Sequence, residues 1–496
     1  MSRKKHKRSP SLGIADTGLS LEKFEPLLEP GEFQKLKQEL EKPLQPAIRI
    51  NLLKSEKGRL VKSLQNIYGW EVKPISFCPS GFRVKSNQQP LSATIEHRMG
   101  FFYIQESASM LPGELFDFGG IPHPLILDLA ASPGGKTTHL ADKTGDQGLI
   151  IANDSSHERL KALQIVLQNW GVVNQAVTCF AGERFGSWFP GMFDFVLLDA
   201  PCSMQGLRTS ESHPMRAISE KEHARLSQRQ QNLLVSALKA TRIGGQVVYS
   251  TCTLSPEENE VVLSAVLKEF PSCFNIGDLR TRLPLPAPAL VSYGDQTFPQ
   301  EVQNGIRLWP HLCSTAGFFA ARLDKVAPLT SETDPLDYPT VNSQYFSSID
   351  RKTMTTIIHQ IQDAYGFDLI KLQEATNTTL YQHAAEVWMI SDRLRQTFPA
   401  LRVNSTGLRV GKLFAGEIAL AHEFVARFGL EFNNGILQIS DEQVPAWLSG
   451  QDLRPYDVSS FPKGRIVVVK DLLGRNLGRG KVLTNQLKNL LPNRLF

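Results

Sequence analysis

No stretch of this 496-residue chain approaches the roughly 18 consecutive apolar residues that a membrane span requires. The basic opening MSRKKHKRSP is not followed by an apolar segment, so it does not read as a secretory signal. Cysteine is scarce: six residues, at 78, 179, 202, 252, 273 and 313, with no CxxC pair. That excludes both a disulfide framework and a zinc site of paired-cysteine spacing, and implies reduced thiols. Repeats and low-complexity tracts are also missing. These absences lead us to expect a cytoplasmic monomer of about three domains, without membrane contact.

What is present begins with charge. The net charge of +5 is unevenly placed, because Arg3, Lys4, Lys5, Lys7 and Arg8 alone supply +5. From Lys463 onward eight basic residues face only Asp471, a balance of +7 that leaves the body between the two ends at −7. An acidic body with basic ends predicts a polyanionic partner held by the ends. A solubilising role accounts equally well for the first eight residues. It accounts poorly for the C-terminal charges, which alternate with apolar strand residues.

Local patterns divide the chain. Residues 1–20 read as a disordered basic tail and 21–120 as a mixed N-terminal region. Residues 121–325 alternate apolar strands with helical segments, the βαβ pattern of a parallel sheet. The strands expected there are 124–130, 148–154, 175–180, 193–201 and 245–252. A Pro/Ser/Thr-rich linker follows at 326–345, then a small helical region at 346–400 and a β-rich segment at 401–496. In the last, GRIVVVKDLLGRNLGRGKV reads as a hairpin around Leu473-Gly474.

The first βα connection reads LDLAASPGGKTTHL. Gly134 and Gly135 permit a tight turn that a ligand can approach, before a helix N-terminus with free N–H groups. One reading is a loose phosphate-binding loop of a nucleotidase, with Asp199 as its magnesium partner. The other is the first loop of a Rossmann-like fold that holds S-adenosylmethionine (SAM). Asp128 at the strand end and Asp154 at the next strand end, where acids meet ribose hydroxyls, favour the second. The nucleotidase reading also leaves two strand-end cysteines without a task.

Those cysteines lie in DAPCS, with Asp199 and Cys202, and in STCTLSPEENE, with Cys252. A single buried cysteine is usually an inert small hydrophobe. Two at successive strand ends, one beside an acid, point to chemistry. C5 of a cytosine is a poor nucleophile until a thiolate adds to C6. A carboxylic group at N3 then absorbs the developing charge, and a base must remove the C5 proton before the thiolate can leave. Ser255, Pro256 and Glu258 predict a capped helix start that would favour a thiolate at Cys252, as would Lys136.

DLAASPGGKT, DAPCS and STCTLSPEENE resemble the motifs of the Sun family of RNA cytosine-C5 methyltransferases. RINLLK (49–54) and FYIQESASML (102–111) are similar to that family's N-terminal signatures. The order of segments resembles family members that act on bacterial 16S ribosomal RNA and end in a PUA-like module. The resemblance implies an α/β architecture: a Rossmann-like SAM-dependent methyltransferase domain, an N-terminal α/β RNA-binding region, and C-terminal helical and PUA-like β-rich modules. It implies Cys252 as nucleophile, Cys202 as the residue that releases product, Asp199 on the target base, and Lys136 between cofactor and reacting centre. Ala130, Ala131, Ser132, Pro133, Gly134, Gly135, Lys136, Asp154 and Asp199 would line the cofactor site. Ala181 stands where the family has an aspartate for the adenine amino group, so main-chain acceptors or Glu183 would substitute. Met204 replaces a glycine, Ser132 an alanine, and Arg208 is one position early. The expected activity is methylation of C5 of a cytosine in 16S ribosomal RNA. A nucleotidase, or a homologue that binds ribosomal RNA without catalysis, is the alternative.

Overall fold

Five apolar runs supply the centre of the molecule, as seen in a computed structural model that describes residues 21–85, 89–206, 218–280, 287–329, 337–340 and 346–493. The strands are β1 (Leu125–Asp128), β2 (Leu149–Asn153), β3 (Gln175–Thr178), β4 (Phe193–Asp199) and β5 (Thr241–Thr251), joined by β6 (Ile306–Leu308) and β7 (Phe318–Lys325). They are ordered β3-β2-β1-β4-β5-β7-β6, with β1 to β5 parallel and β7 antiparallel to both its neighbours. Helices α1 (Gly135–Lys143), α2 (His157–Trp170), α3 (Glu220–Ala240) and α4 (Glu260–Glu269) provide the connections. β1, β2 and β3 are buried at every position, which is why they read as unbroken apolar runs rather than alternating ones.

β5 begins four residues earlier than its apolar run. Gly244-Gly245 lies inside the strand, where the pairing with β4 shifts register. The strand pair Asp199 and Ser250 is in register, so the chain segments carrying Cys202 and Cys252 leave the sheet side by side.

The N-terminal region forms a separate four-stranded antiparallel sheet: Glu71–Ile75, Cys78–Lys85, Ala47–Ile50 and Phe102–Ile104, in that spatial order. Residues 346–400 depart from the helical expectation. Helices Arg351–Tyr365 and Leu369–Thr376 are there, but a hairpin of Thr378–His383 and Glu386–Ser391 follows them. It pairs with Leu408–Phe414 across the expected boundary at 400, making one five-stranded sheet. The β-branched and aromatic residues of TTLYQH and EVWMIS suit a pleated, half-buried surface. The hairpin around Leu473-Gly474 forms as expected, from Ile466–Lys470 and Asn476–Leu483.

The N-terminal sheet and the C-terminal strands are built into the rest. Ser405–Thr406 extends the central sheet by pairing with β3. Ile48, Trp70 and Phe102 of the N-terminal region share one apolar core with Trp447, Val467, Leu477 and Leu487. Arg475 seals that junction through Glu96 (3.4 Å) and the Tyr68 hydroxyl (3.1 Å). Arg427 inserts between the Leu53 carbonyl, to which it donates, and Gly171. The basic tail, Arg208, Arg494 and most of the expected linker lie outside the described residues.

Candidate active site

The turn after β1 is held by the end of β2. Ala131 N–H donates to the Asn153 carbonyl (2.7 Å), and Ser132 N–H to Asp154 Oδ2 (3.2 Å). Asp154 also accepts from Ser156 N–H (2.9 Å), and Arg159 donates to the Ser132 carbonyl (2.6 Å). Gly134 has φ of +111°, the left-handed region glycine favours, and a Cβ on Gly135 would strike the Tyr103 ring at 2.8 Å. Asp128 accepts from the Thr137 hydroxyl (2.6 Å) through one oxygen, while the other is buried without a partner. Burial pushes this carboxyl up to about 7.

These features fit SAM. An orphaned carboxylate oxygen, a second strand-end acid with spare lone pairs and a glycine turn offering N–H groups match a ligand with an ammonium, ribose hydroxyls and a carboxylate. Ala181 is exposed and carries no acceptor on its side chain. Glu183 is ion-paired with Arg229 (3.2 Å), which leaves the main chain around Ala181 as the acceptor of choice.

The reacting groups converge beyond Lys136. Its ammonium meets Asp199 Oδ2 at 2.7 Å, and Asp199 Oδ1 accepts from the Ser250 hydroxyl at 2.8 Å. Although burial works against its charge, Asp199, with Cys252 and Asp128 nearby, lifts the Lys136 pKa above its ordinary value. The thiols of Cys202 and Cys252 are 3.0 Å apart. The hydrogen bond to Cys252 and burial, with the charge of Glu258, raise Cys202 well above the ordinary thiol pKa. The two sulfurs therefore differ in surroundings: Cys252 is close to a cation, Cys202 to an acid.

One expected device is missing. Ser255 makes no cap hydrogen bond; Pro256–Glu258 is a short 3₁₀ turn, and α4 starts only at Glu260. Glu258 turns instead toward the Cys202 segment, accepting from Ser203 N–H and Gln230 Nε2, both at 2.9 Å. A fully buried carboxylate needs several donors, and the Cys202 segment supplies a better set than its own turn. Ser203 also donates to the Thr253 hydroxyl (3.1 Å), so the two cysteine segments are cross-braced. Met204, at φ of +60°, occupies the backbone conformation for which glycine is the usual choice. Sequence reasoning missed Glu258 and Gln230 as braces, because the PEE run fits a cap equally well.

The strand order, the glycine turn between two strand-end acids and the paired thiols define a Rossmann-like methyltransferase. Residues 121–324 match the family of 16S rRNA methyltransferase RsmB/F, and residues 20–107 match the N-terminal domain of 16S rRNA methyltransferase RsmF. Ribosomal RNA small subunit methyltransferase F of Aeromonas hydrophila is 32% identical over 92% of this chain and 91% of its own. The enzyme of the same name from Psychromonas ingrahamii is 32% identical, with 92% of each chain covered. Among solved structures, a methyltransferase homologue from Pyrococcus horikoshii superposes with a TM-score of 0.52 at 32% identity, covering 60% of this chain and 91% of that one. NSun6 from the same organism, at 22% identity and a TM-score of 0.51, covers 62% and 97% and shares the fold. The chain belongs to the RsmB/F family of 16S rRNA methyltransferases.

Proposed function

We propose that this enzyme, a SAM-dependent ribosomal RNA methyltransferase, methylates C5 of a cytosine in small-subunit ribosomal RNA through a transient bond from Cys252 to C6. The observation that carries this reading is the pair of thiols 3.0 Å apart in unequal surroundings. As its thiolate, Cys252 adds to C6 and shifts electron density to C5. Asp199, held by Lys136 and Ser250, binds and orients the target base. When bound, SAM supplies an electrophilic methyl group. Cys202 then serves product release: once its own proton has passed to water, its sulfur takes the C5 proton, and the Cys252–C6 bond breaks as the ring double bond re-forms. Residues 130–136, with Asp154 and the main chain at Ala181, hold the cofactor.

The strand-rich C-terminal segment would grip RNA, but with fewer charges than its sequence offers. Arg475 is paired with Asp471 and Glu96, and Arg479 donates to the Leu420 carbonyl. Lys463 and Lys488 are exposed. Trapping tests the mechanism. Cys202→Ala with SAM and substrate RNA should accumulate a protein–RNA species that survives denaturing electrophoresis, whereas Cys252→Ala should not. The reverse pattern would exchange the two roles. No adduct in either, with no methyl transfer by the unaltered enzyme, would leave an RNA-binding protein without catalysis.

A further inference from the structure

The segment RINLLK belongs to the N-terminal sheet, where the expectation was contact with RNA. Its three polar side chains are instead all buried, with Arg49 and Asn51 at 0% and Lys54 at 8% exposure. None is available to a phosphate. Each reaches the helices that flank the neighbouring central sheet. Arg49 Nη2 donates to the Gly135 carbonyl (2.9 Å) and the Thr138 hydroxyl (2.6 Å), in the first turn of α1. Its Nη1 meets Asp142, further along α1, and its Nε donates to Gln105 (3.1 Å). The guanidinium also stacks on Trp170, at 4.6 Å from the ring centre, and Trp170 Nε1 donates to the same Asp142 (3.0 Å). Asn51 donates to the Trp170 carbonyl (2.9 Å), and Lys54 to the Asn169 carbonyl (2.7 Å).

α1 is the helix that begins at the Gly134-Gly135 turn. α2, which ends at Trp170, is the helix that follows Asp154. The three side chains thus tie together the two elements that frame the proposed cofactor site. Burying a guanidinium is costly unless every donor is satisfied, and lysine could neither fork nor stack in this way. We infer that Arg49, backed by Asn51 and Lys54, is a positioning residue for cofactor binding. It fixes the α1 first turn against α2 so that the glycine turn presents its N–H groups at a set distance from Asp154. The N-terminal sheet therefore acts on the cofactor site.

The inference rests on the cofactor site proposed above, so SAM binding by the unaltered enzyme is measured first; failure there would reject that site rather than the role of Arg49. Two variants of the full chain follow, Arg49→Lys and the charge-neutral pair Arg49→Met with Asp142→Asn. The second leaves no unpaired buried charge and keeps an acceptor for Trp170. SAM dissociation constants are measured by calorimetry, RNA affinity without cofactor by filter binding, and turnover over a range of SAM. The expected result is a SAM dissociation constant raised tenfold or more in the neutral pair and less in Arg49→Lys. RNA affinity should stay within threefold, and kcat at saturating SAM should largely recover. SAM affinity within twofold of the unaltered enzyme in the neutral pair would overturn the inference. So would a loss of RNA affinity equal to that for SAM, which would mark a general structural role.

Discussion

Two sulfurs in contact can do opposite jobs only if their surroundings differ, and here a lysine and a glutamate make the difference. Cys252→Ala should abolish methyl transfer while leaving the SAM dissociation constant within about twofold, because in the proposed mechanism the thiol touches the base and not the cofactor. Loss of a covalent catalyst costs several decades in rate, so turnover above about one per cent would sink the assignment. Asp199→Asn should lower turnover while sparing SAM affinity more, since it removes the charge that holds Lys136; unchanged turnover would separate that pair from catalysis. A third prediction concerns pH. Burial holds His139 down to about 4, against 6.5 in the open chain, so the unfolded state binds the extra proton between those values. The stability from neutral His139 is complete above about pH 6.5 and is lost as pH falls toward 4, costing about 2 kcal/mol between pH 7 and 5. Urea unfolding at the two pH values should show His139→Gln losing less stability than the unaltered enzyme; equal losses would refute the histidine's part. The residues proposed to carry the chemistry stood out in sequence because their types at strand ends are distinctive. Arg49 stood in a quoted motif, yet no local pattern reveals which distant carbonyls a buried arginine will meet.

Elements follow the apolar pattern closely where both faces are covered and loosely where tertiary contacts compete. β1 to β4 lie within their expected runs because nothing but burial acts on them. The turn after Cys252 fails its capping expectation because Glu258 finds stronger partners on another segment. Removing that brace should therefore show. Glu258→Ala leaves Ser203 N–H and one Gln230 donor without an acceptor and should cost about 2–6 kcal/mol of stability, at roughly 1–3 kcal/mol for each buried group left unpaired. Methyl transfer should fall with it while SAM affinity holds, since the glycine turn lies on another strand. Denaturant unfolding that shifts by less than about 0.5 kcal/mol would show the brace to be slack. The hairpin at 378–391 escaped notice for a related reason. Its strands are short, and only pairing with Leu408–Phe414 makes them a sheet.

At the scale of the whole molecule, long-range closure was the least legible property. Composition shifts suggested appendages joined by linkers, whereas the N-terminal sheet and the C-terminal strands share one core. Deleting residues 401–496 should therefore not yield a clean RNA-binding defect. It would strip Ser405–Thr406 from β3 and expose the apolar face that includes Ile48 and Phe102. The truncated chain should aggregate or lose its SAM-dependent thermal shift. A soluble product with an unchanged melting temperature would contradict the shared core. Charge was read correctly in sign but not in availability, because Arg475 and Arg479 serve internal partners.

The shared core also sets a timetable. Phe102 leaves the ribosome 365 positions before Val467, the residue on the far side of the same core. At about 5–20 residues per second, that interval is on the order of twenty seconds to more than a minute. For all of it, half of an apolar interface stands in water without its other half. A protein that modifies ribosomal RNA thus carries an uncovered apolar face through much of its own synthesis, until the segment around Val467 arrives to cover it.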